Sequence, residues 1–192
     1  MPEQFFLPGF DAPHPTDRLF FALIPTPDAA ASIARQRGLL RDIYALKGRS
    51  IGVGRLHVTL SHLGDYIGLP EDIVAAAMKA AASVKAAPFD VVFDRAMSFR
   101  GRPRNRPLVL LGDEGVAALA AFQQNLGRAL QKAGLAGANP HYTPHVTLLY
   151  DNRFVPPGTI EPIRWRVNEF VLVHSLLGQT RHVPLARWAL FS

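Results

Sequence analysis

The sequence predicts an α+β fold of two similar lobes, built from mainly antiparallel sheets with helices on the outside and a central cleft. The order strand, helix, strand occurs in each half of the chain, and both copies of the second strand contain the tetrapeptide HVTL, at 57–60 and at 145–148. Strands also outnumber the helices that could connect parallel pairs, which favours antiparallel sheets. We therefore expect an approximate twofold axis between the two halves.

Each element has a local signature. The apolar run 18–25 ends at a proline, which indicates a buried strand. A helix should follow, with Thr26 as its N-cap, Pro27 at the first helical position and Gly48 at its end. Further helices are predicted at 70–87 and 114–135, and further strands at 55–66, 89–99, 107–112, 142–151, 163–178 and 181–191, the last two as a closing hairpin. We expect residues 1–17 to be a loose leader and residues 18–192 to be a single bilobal domain.

Composition restricts the chemistry. The 192 residues include no cysteine, which excludes disulfides, thiolate zinc sites and a cysteine nucleophile. The N-terminus does not resemble a secretory signal and no apolar run is long enough to span a membrane, so we expect a cytoplasmic protein without a membrane partner. The net charge of +6, carried by 17 arginines and 4 lysines, favours polyanionic partners. An arginine-rich genome would explain the same bias.

The repeated HVTL tetrapeptide is the strongest functional signal. Side chains alternate along a strand, so His57 and Thr59 should share one face while the valine and leucine between and after them pack into the core. His145 and Thr147 should behave in the same way in the second half. If a twofold axis relates the halves, both polar faces line one cleft. The alternative is a pair of histidines satisfied within the core.

Two imidazoles that face each other across a cleft suit the cleavage of a phosphodiester. One can take a proton from the attacking oxygen and the other can give a proton to the leaving oxygen, since histidine titrates near neutral pH. The hydroxyls of Thr59 and Thr147 can donate to the non-bridging phosphate oxygens. No carboxylate cluster accompanies the histidines, so we expect neither a metal ion nor any other cofactor.

These motifs, together with the segments RLFFALIP, LHVTLSHLGD, TPHVTLLYD and LVHSLLGQTRHVPLARWAL, resemble the 2H phosphoesterase superfamily, and within it the LigT-like RNA 2′,3′-cyclic phosphodiesterases, also described as 2′–5′ RNA ligases. The resemblance covers roughly residues 18–191. It implies metal-independent hydrolysis of 2′,3′-cyclic phosphates of RNA ends or nucleotides to 2′-phosphomonoesters, with reversible 2′–5′ RNA ligation. It also implies that His57 protonates the leaving 3′ oxygen and that His145 activates water.

One position departs from the resemblance. Some relatives carry an arginine five residues after the second motif histidine, where this chain has Tyr150. We predict that Arg55 neutralises the phosphate instead, because strand alternation would place it on the face of His57. Arg153 is a weaker choice, because the strand should have ended there.

Three further residues are predicted to contact the substrate: Tyr150, Tyr142 and Arg100. Tyr142 could stack on a base, although a core aromatic is the alternative, and the same holds for Phe20 or Phe21. Arg100 opens the basic stretch 100–106, which could grip an RNA backbone or form an ordinary solvated loop. We predict that His62 lies on the apolar back of its strand, and that His182 is structural or peripheral.

The expected partner is an RNA with a 2′,3′-cyclic phosphate end, or a cyclic nucleotide, and we expect a monomer. Two alternatives remain open at this point. The chain could be a non-catalytic RNA-binding module on the same fold, or a phosphodiesterase for another cyclic phosphate.

Overall fold

The computed structural model describes residues 14–101 and 105–191. Three α-helices are present in these ranges: α1 (Pro27–Tyr44), α2 (Glu71–Ala82) and α3 (Ala117–Lys132). The strands are β1 (Asp17–Leu23), β2 (Arg49–Ser50), β3 (Val58–Tyr66), β4 (Phe89–Ser98), β5 (Arg106–Leu111), β6 (His145–Asp151), β7 (Gly158–Val167), β8 (Glu169–Leu176) and β9 (Arg181–Ala189). The first strand thus begins at Asp17, the last residue of the predicted leader, and residues 1–13 of that leader lie outside the described ranges.

The strands form one continuous sheet in the order β7-β4-β5-β6-β3-β1-β8-β9, with β2 added beside β6. Every pairing is antiparallel. Each half of this order contains one adjacent strand pair that is connected through a helix, β1 and β3 through α1 and β5 and β6 through α3, and a single residue pair, Val58 with Val146, joins β3 to β6 at the centre. The predicted α+β fold with two related antiparallel halves is therefore confirmed. The two halves belong to one continuous sheet, whereas separate sheets were predicted.

The helices cover one face of the sheet and leave the other face for the site. Helix α1 packs against β6 and β7, and helix α3 packs against β3 and β4, so each of these helices contacts the motif strand of the other half. The motif residues Val58, Leu60, Val146 and Leu148 belong to the core beneath them and are at most 1% exposed. Strand alternation thus places the polar motif residues on the face away from the helices, as predicted.

Both motif strands contain a bulge just after the motif threonine. The register of β3 against β1 skips Leu60, and the register of β6 against β5 skips Leu148. One extra residue reverses the alternation of every side chain that follows it. His62 and Tyr150, each five residues after a motif histidine, therefore lie on the same face as that histidine. The prediction that His62 lies on the back of its strand is wrong for this reason.

Glycine 48 does not end the first helix. Helix α1 has its N-cap at Thr26, as predicted, but it ends at Tyr44, and Ala45 takes the left-handed conformation with φ of 49°. Gly48 instead lies against β6, where an added Cβ would stand 1.8 Å from the carbonyl oxygen of Tyr150. The glycine is required by this close approach of two backbones.

The predicted strand 163–178 consists of the end of one strand and the whole of another. Asn168 separates β7 from β8, and β7 begins at Gly158 and pairs with β4 at one edge of the sheet. Pro162 obscures β7 in the sequence, but proline is tolerated on an edge strand. The predicted closing hairpin is present as β8 and β9.

A buried hydrogen bond between Asp17 and His174 fastens the first strand to the closing hairpin. The carboxylate of Asp17 lies 2.5 Å from Nε2 of His174. The side chain of Asp17 is 10% exposed and that of His174 is 12% exposed. The same carboxylate accepts hydrogen bonds from the hydroxyl of Thr16 and from the backbone N–H of Gly68. The bond from Thr16 and the bond from His174 hold the pKa of Asp17 below its ordinary value.

We expect Asp17→Asn to destabilise the protein at pH 7 and to have progressively less effect below about pH 4. A carboxylate with a depressed pKa contributes stability above its unfolded pKa of about 3.9, and this contribution is lost as the pH falls through the folded pKa. Urea unfolding of both proteins at pH 7, 5 and 3 measures the difference. Asp90→Asn, which removes an exposed carboxylate paired with Arg166, is the control. A difference that stays constant from pH 7 to pH 3 would contradict the assignment.

Candidate active site

The sheet face away from the helices carries the site. In the first half of the sheet, Thr59 is paired with Ala22, which belongs to a small apolar cluster that is separate from the main core. The members of this cluster come from two adjacent strands: Phe20, Ala22, Val171 and Val173. Their exposed fractions do not exceed 3%, so the site has a firm apolar floor.

The two motif histidines are held by the same hydrogen bond. Nδ1 of His57 donates to the backbone carbonyl of Arg55 at 2.7 Å, and Nδ1 of His145 donates to the carbonyl of Thr143 at 2.7 Å. In each case the acceptor lies two residues before the histidine. A ring whose Nδ1–H is committed in this way presents Nε2 to a ligand, as a lone pair when neutral and as an N–H when protonated.

A phenylalanine packs against each of these imidazoles. The ring centroid of Phe20 lies 5.0 Å from that of His57, and the centroid of Phe99 lies 5.0 Å from that of His145. Phe20 comes from β1 and Phe99 follows β4, so two different strands restrain the two rings. Each histidine is therefore fixed by one hydrogen bond and one aromatic contact.

The two histidines act on each other electrostatically. Burial lowers the pKa of His57 below its ordinary value, the hydrogen bond to Arg55 opposes this shift, and electrostatic coupling to His145 and Arg55 lowers the pKa further. The residues that follow the two histidines, Val58 and Val146, are paired at the centre of the sheet, so both histidines lie beside this pair on one face. The threonines Thr59 and Thr147 are half-buried on the same face.

Arg55 stands beside the histidines, but for a different reason from the one predicted. The predicted strand begins only at Val58, and residues 53–55 form a short 3₁₀ turn. This turn brings Arg55 to His57, and the Nε atom of Arg55 is buried without a hydrogen-bond partner in the described part of the chain. A buried cationic donor without a partner is suited to bind an anion.

His182, which was predicted to be structural or peripheral, is a third imidazole beside His57. Its ring centroid lies 5.3 Å from that of His57 and 5.4 Å from that of Phe20. Burial, together with the charges of His57 and Arg55, lowers the pKa of His182 to about 4, so it is neutral at pH 7. Its pairing with Ser175 in the closing hairpin gives it this position, and that register could not be read from the sequence.

A cleft of about 530 Å³ opens beside His145 and is lined by Thr59 of the other half. Tyr142 also lines it and donates a hydrogen bond from its hydroxyl to the backbone carbonyl of Thr59 at 2.9 Å. Burial raises the pKa of Tyr142, so the hydroxyl keeps its proton. Tyr142 therefore both borders the cleft and fixes the first motif strand.

Two residues of this cleft were not predicted. Gln123 of α3 is 2% exposed, and its Oε1 has no hydrogen-bond partner within the described ranges. His62, exposed at the rim, is bonded to Asp65 at 2.9 Å. A single glutamine on a helix does not indicate a functional site in a sequence. The bulge that turns His62 towards the site cannot be recognised in the sequence either.

The other predicted contacts lie further out. Arg100 is exposed on the loop immediately after Phe99, the residue that packs on His145. Tyr150 is 39% exposed and lines a neighbouring cavity instead of the cleft itself. Arg102 and Arg104 of the predicted basic loop lie outside the described residues, whereas Arg106 donates to the backbone carbonyl of Asn152. Arg153 donates to the carbonyl of Tyr44 and is turned away from the site.

The described residues contain neither a candidate metal site nor a helix that could cross a membrane. No group of three or more histidine, cysteine, aspartate or glutamate side chains in these ranges is arranged to hold a metal ion. No helix among them combines the length and the apolar character that crossing a bilayer requires.

Comparison with known proteins agrees with the geometry of the site. The family model of the 2′-5′ RNA ligase superfamily matches residues 25–179, a span that includes both HVTL motifs. The RNA 2′,3′-cyclic phosphodiesterase of Escherichia coli (strain K12) is 30% identical over 183 residues, which cover 90% of this chain and 96% of that protein.

Solved structures show the same architecture. The apo form of E. coli LigT superimposes with a TM-score of 0.69 at 27% identity, covering 92% of this chain and 98% of LigT. The complex of E. coli LigT with 3′-AMP superimposes with a TM-score of 0.67 at 27% identity, covering 92% and 99%. The fold, including its two related halves, is therefore shared over nearly the whole chain.

Proposed function

The chain belongs to the 2′-5′ RNA ligase superfamily, and from this premise we propose that it hydrolyses 2′,3′-cyclic phosphates of RNA ends or nucleotides to 2′-phosphomonoesters. The observation that carries the proposal is the equivalent fixation of two imidazoles. Each has its Nδ1 bonded to a carbonyl two residues earlier, which leaves Nε2 for a ligand on the same sheet face, and Arg55 adjoins His57. A pair of proton carriers next to a guanidinium whose Nε has no hydrogen-bond partner among the described residues suits the hydrolysis of an anionic diester.

The proposed reaction assigns one proton transfer to each histidine. His145 takes a proton from water as its oxygen attacks phosphorus, and the bond from phosphorus to the 3′ oxygen breaks. His57 gives its proton to that 3′ oxygen, so the product carries a free 3′-hydroxyl and a 2′-phosphate. Thr59 and Thr147 donate to the non-bridging oxygens, where charge concentrates in the transition state.

The electrostatics of the free protein bear on these roles. Because burial and neighbouring positive charge lower the pKa of His57, its imidazole is predominantly neutral before substrate binds. The negative charge of a bound phosphate acts in the opposite direction and favours the protonated ring. On this proposal, binding of the substrate favours protonation of His57, so the ring becomes a proton donor only in the bound complex.

The same geometry supports the reverse reaction. If a 5′-hydroxyl of a second RNA replaces water at His145, attack on the cyclic phosphate forms a 2′–5′ linkage. Hydrolysis and ligation then differ only in the nucleophile. The cleft beside His145, with Tyr142 and Gln123 in its walls, would receive the ribose and base of the terminal nucleotide.

Product analysis on a panel of cyclic phosphates tests the proposed function. We expect 2′,3′-cyclic nucleotides and cyclic-phosphate-ended oligonucleotides to give 2′-phosphate products, identified by chromatography against 2′- and 3′-phosphate standards. We also expect less than a twofold change in rate after treatment with EDTA, since each proton transfer is assigned to a histidine. A 3′-phosphate product, or a rate that EDTA abolishes and a divalent ion restores, would contradict the proposed mechanism.

A second candidate function is RNA binding without catalysis. The net charge of +6 and the presence of Tyr150 in place of an arginine favour it. It predicts salt-dependent RNA binding with no product from any member of the panel. Any 2′-phosphate product eliminates it, and turnover of only a non-nucleotide cyclic phosphate would instead favour a different substrate class.

A further inference from the structure

A second cavity, of about 450 Å³, lies on the second half of the molecule next to the segment between α1 and β2. Its walls include Lys47, Arg49, Asn105 and Tyr150. Lys47, Arg49 and Tyr150 are exposed, so two cations and an aromatic ring face the same space. None of these residues takes part in the proposed proton transfers.

Strand β6 connects this cavity to the motif residues His145 and Thr147. The bulge at Leu148 turns Tyr150 onto the face that carries His145 and Thr147. Arg49 is paired with Tyr150 across β2 and β6, and residues paired in a sheet share a face. Thr147 and Tyr150 are three residues apart, about 10 Å at roughly 3.4 Å per residue. A ligand that extends from the motif histidines along β6 therefore reaches Tyr150 and Arg49.

The cavity is held in shape before any ligand binds. The carboxylate of Asp151 is 5% exposed and accepts hydrogen bonds from the backbone N–H groups of Lys47 and Gly48, at 2.8 and 2.6 Å. Gly48 is pressed so closely against the carbonyl of Tyr150 that a side chain would not fit. These contacts fix the segment that carries Lys47 and Arg49, and they occupy the carboxylate of Asp151, which is the one carboxylate among the described residues of the cavity wall.

The chemistry of the walls is that of a nucleotide site. Lysine and arginine neutralise phosphate groups of the RNA backbone. An exposed tyrosine ring offers a surface on which a base of any sequence can stack. The amide of Asn105 can donate to and accept from a base or a ribose.

We propose that this cavity is a second nucleotide subsite, which holds the penultimate nucleotide of an RNA whose terminal cyclic phosphate lies between His57 and His145. The proposal rests on the function proposed above and specifies its substrate class. The protein should then act preferentially on oligonucleotides, because a cyclic mononucleotide leaves the second subsite empty.

The test compares a dinucleotide ending in a 2′,3′-cyclic phosphate with the matching cyclic mononucleotide. We expect the ratio of their kcat/KM values to exceed one in the wild-type protein, and to fall about tenfold in Tyr150→Ala and in Arg49→Ala. Tyr150→Phe keeps the ring and should retain most of the ratio. Arg35→Ala removes an exposed arginine of α1 whose neighbours are α1 and β7 residues, and should leave the ratio unchanged.

A ratio near one in the wild-type protein, or a ratio that neither substitution lowers, would overturn the subsite and leave the proposed function intact. If the wild-type protein hydrolyses neither substrate, the proposed function fails. A binding measurement then tests the subsite separately. A labelled dinucleotide ending in a 2′-phosphate should then bind more tightly than the labelled mononucleotide, and Arg49→Ala should remove the difference. Equal affinities would overturn the subsite.

Discussion

Replacing His57 or His145 by alanine should lower kcat for the hydrolysis of a 2′,3′-cyclic nucleotide by about 10²–10⁴-fold. Each substitution removes one of the two proton transfers, and this range is typical for the loss of a positioned acid or base. Steady-state rates at pH 7 on a cyclic nucleotide measure the effect. His14→Ala, which removes an exposed histidine outside the sheet, is the matched control and should retain full activity.

The folded state of the two variants must be measured as well, because both rings pack against phenylalanines. Thermal unfolding followed by circular dichroism should show a cooperative transition in each variant. The kcat of the double variant should be only slightly lower than that of the more severely impaired single variant, because the effects of groups that act as a unit are not additive. If either folded single variant kept near-normal activity, the paired mechanism would be wrong.

The leaving group distinguishes the role of each histidine. A p-nitrophenolate leaves without protonation, so an aryl phosphodiester should restore much of the rate to the variant that lacks the acid. With His57 as the donor, His57→Ala should recover on bis(p-nitrophenyl) phosphate and His145→Ala should not. Recovery of His145→Ala alone would exchange the two roles and leave the pair intact.

The success of the sequence analysis at the motifs has a simple physical basis. Alternation along a strand is a local rule, and Val58, Leu60, Val146 and Leu148 follow it and are buried. Local patterns of this kind were sufficient for the fold class and for the face on which the two histidines lie.

The failures have non-local causes. His62 is on the unexpected face because β3 bulges at Leu60 against β1, and a bulge depends on the partner strand. His182 joins the site because the register of the closing hairpin places it beside His57. Residues 158–162 of β7 were missed because Pro162 resembles a strand breaker until the edge position of β7 is known. In each case the deciding interaction joins residues that are distant in the sequence.

Replacing Arg55 by alanine should lower kcat/KM for a cyclic nucleotide by about 10²-fold, the lower end of what one lost donor to a transition-state oxyanion costs. Its Nε is buried without a partner in the described part of the chain, so a bound phosphate would complete its hydrogen bonding. Arg55→Lys keeps the charge but not the planar fork, and should recover only part of the loss. Arg128→Ala, on the exposed side of α3, is the control.

The same substitution should shift the pH profile in a defined direction. Positive charge on Arg55 lowers the pKa of His57, so Arg55→Ala should raise that pKa towards its ordinary value of about 6.5. The limb of the kcat/KM profile that His57 governs should move to higher pH, and an NMR titration of the His57 ring should show the same shift. Arg55→Lys should keep the wild-type pKa, because it preserves the charge. A loss of activity with an unchanged His57 titration would mean that Arg55 acts only on the fold, and the phosphate would then require another cation.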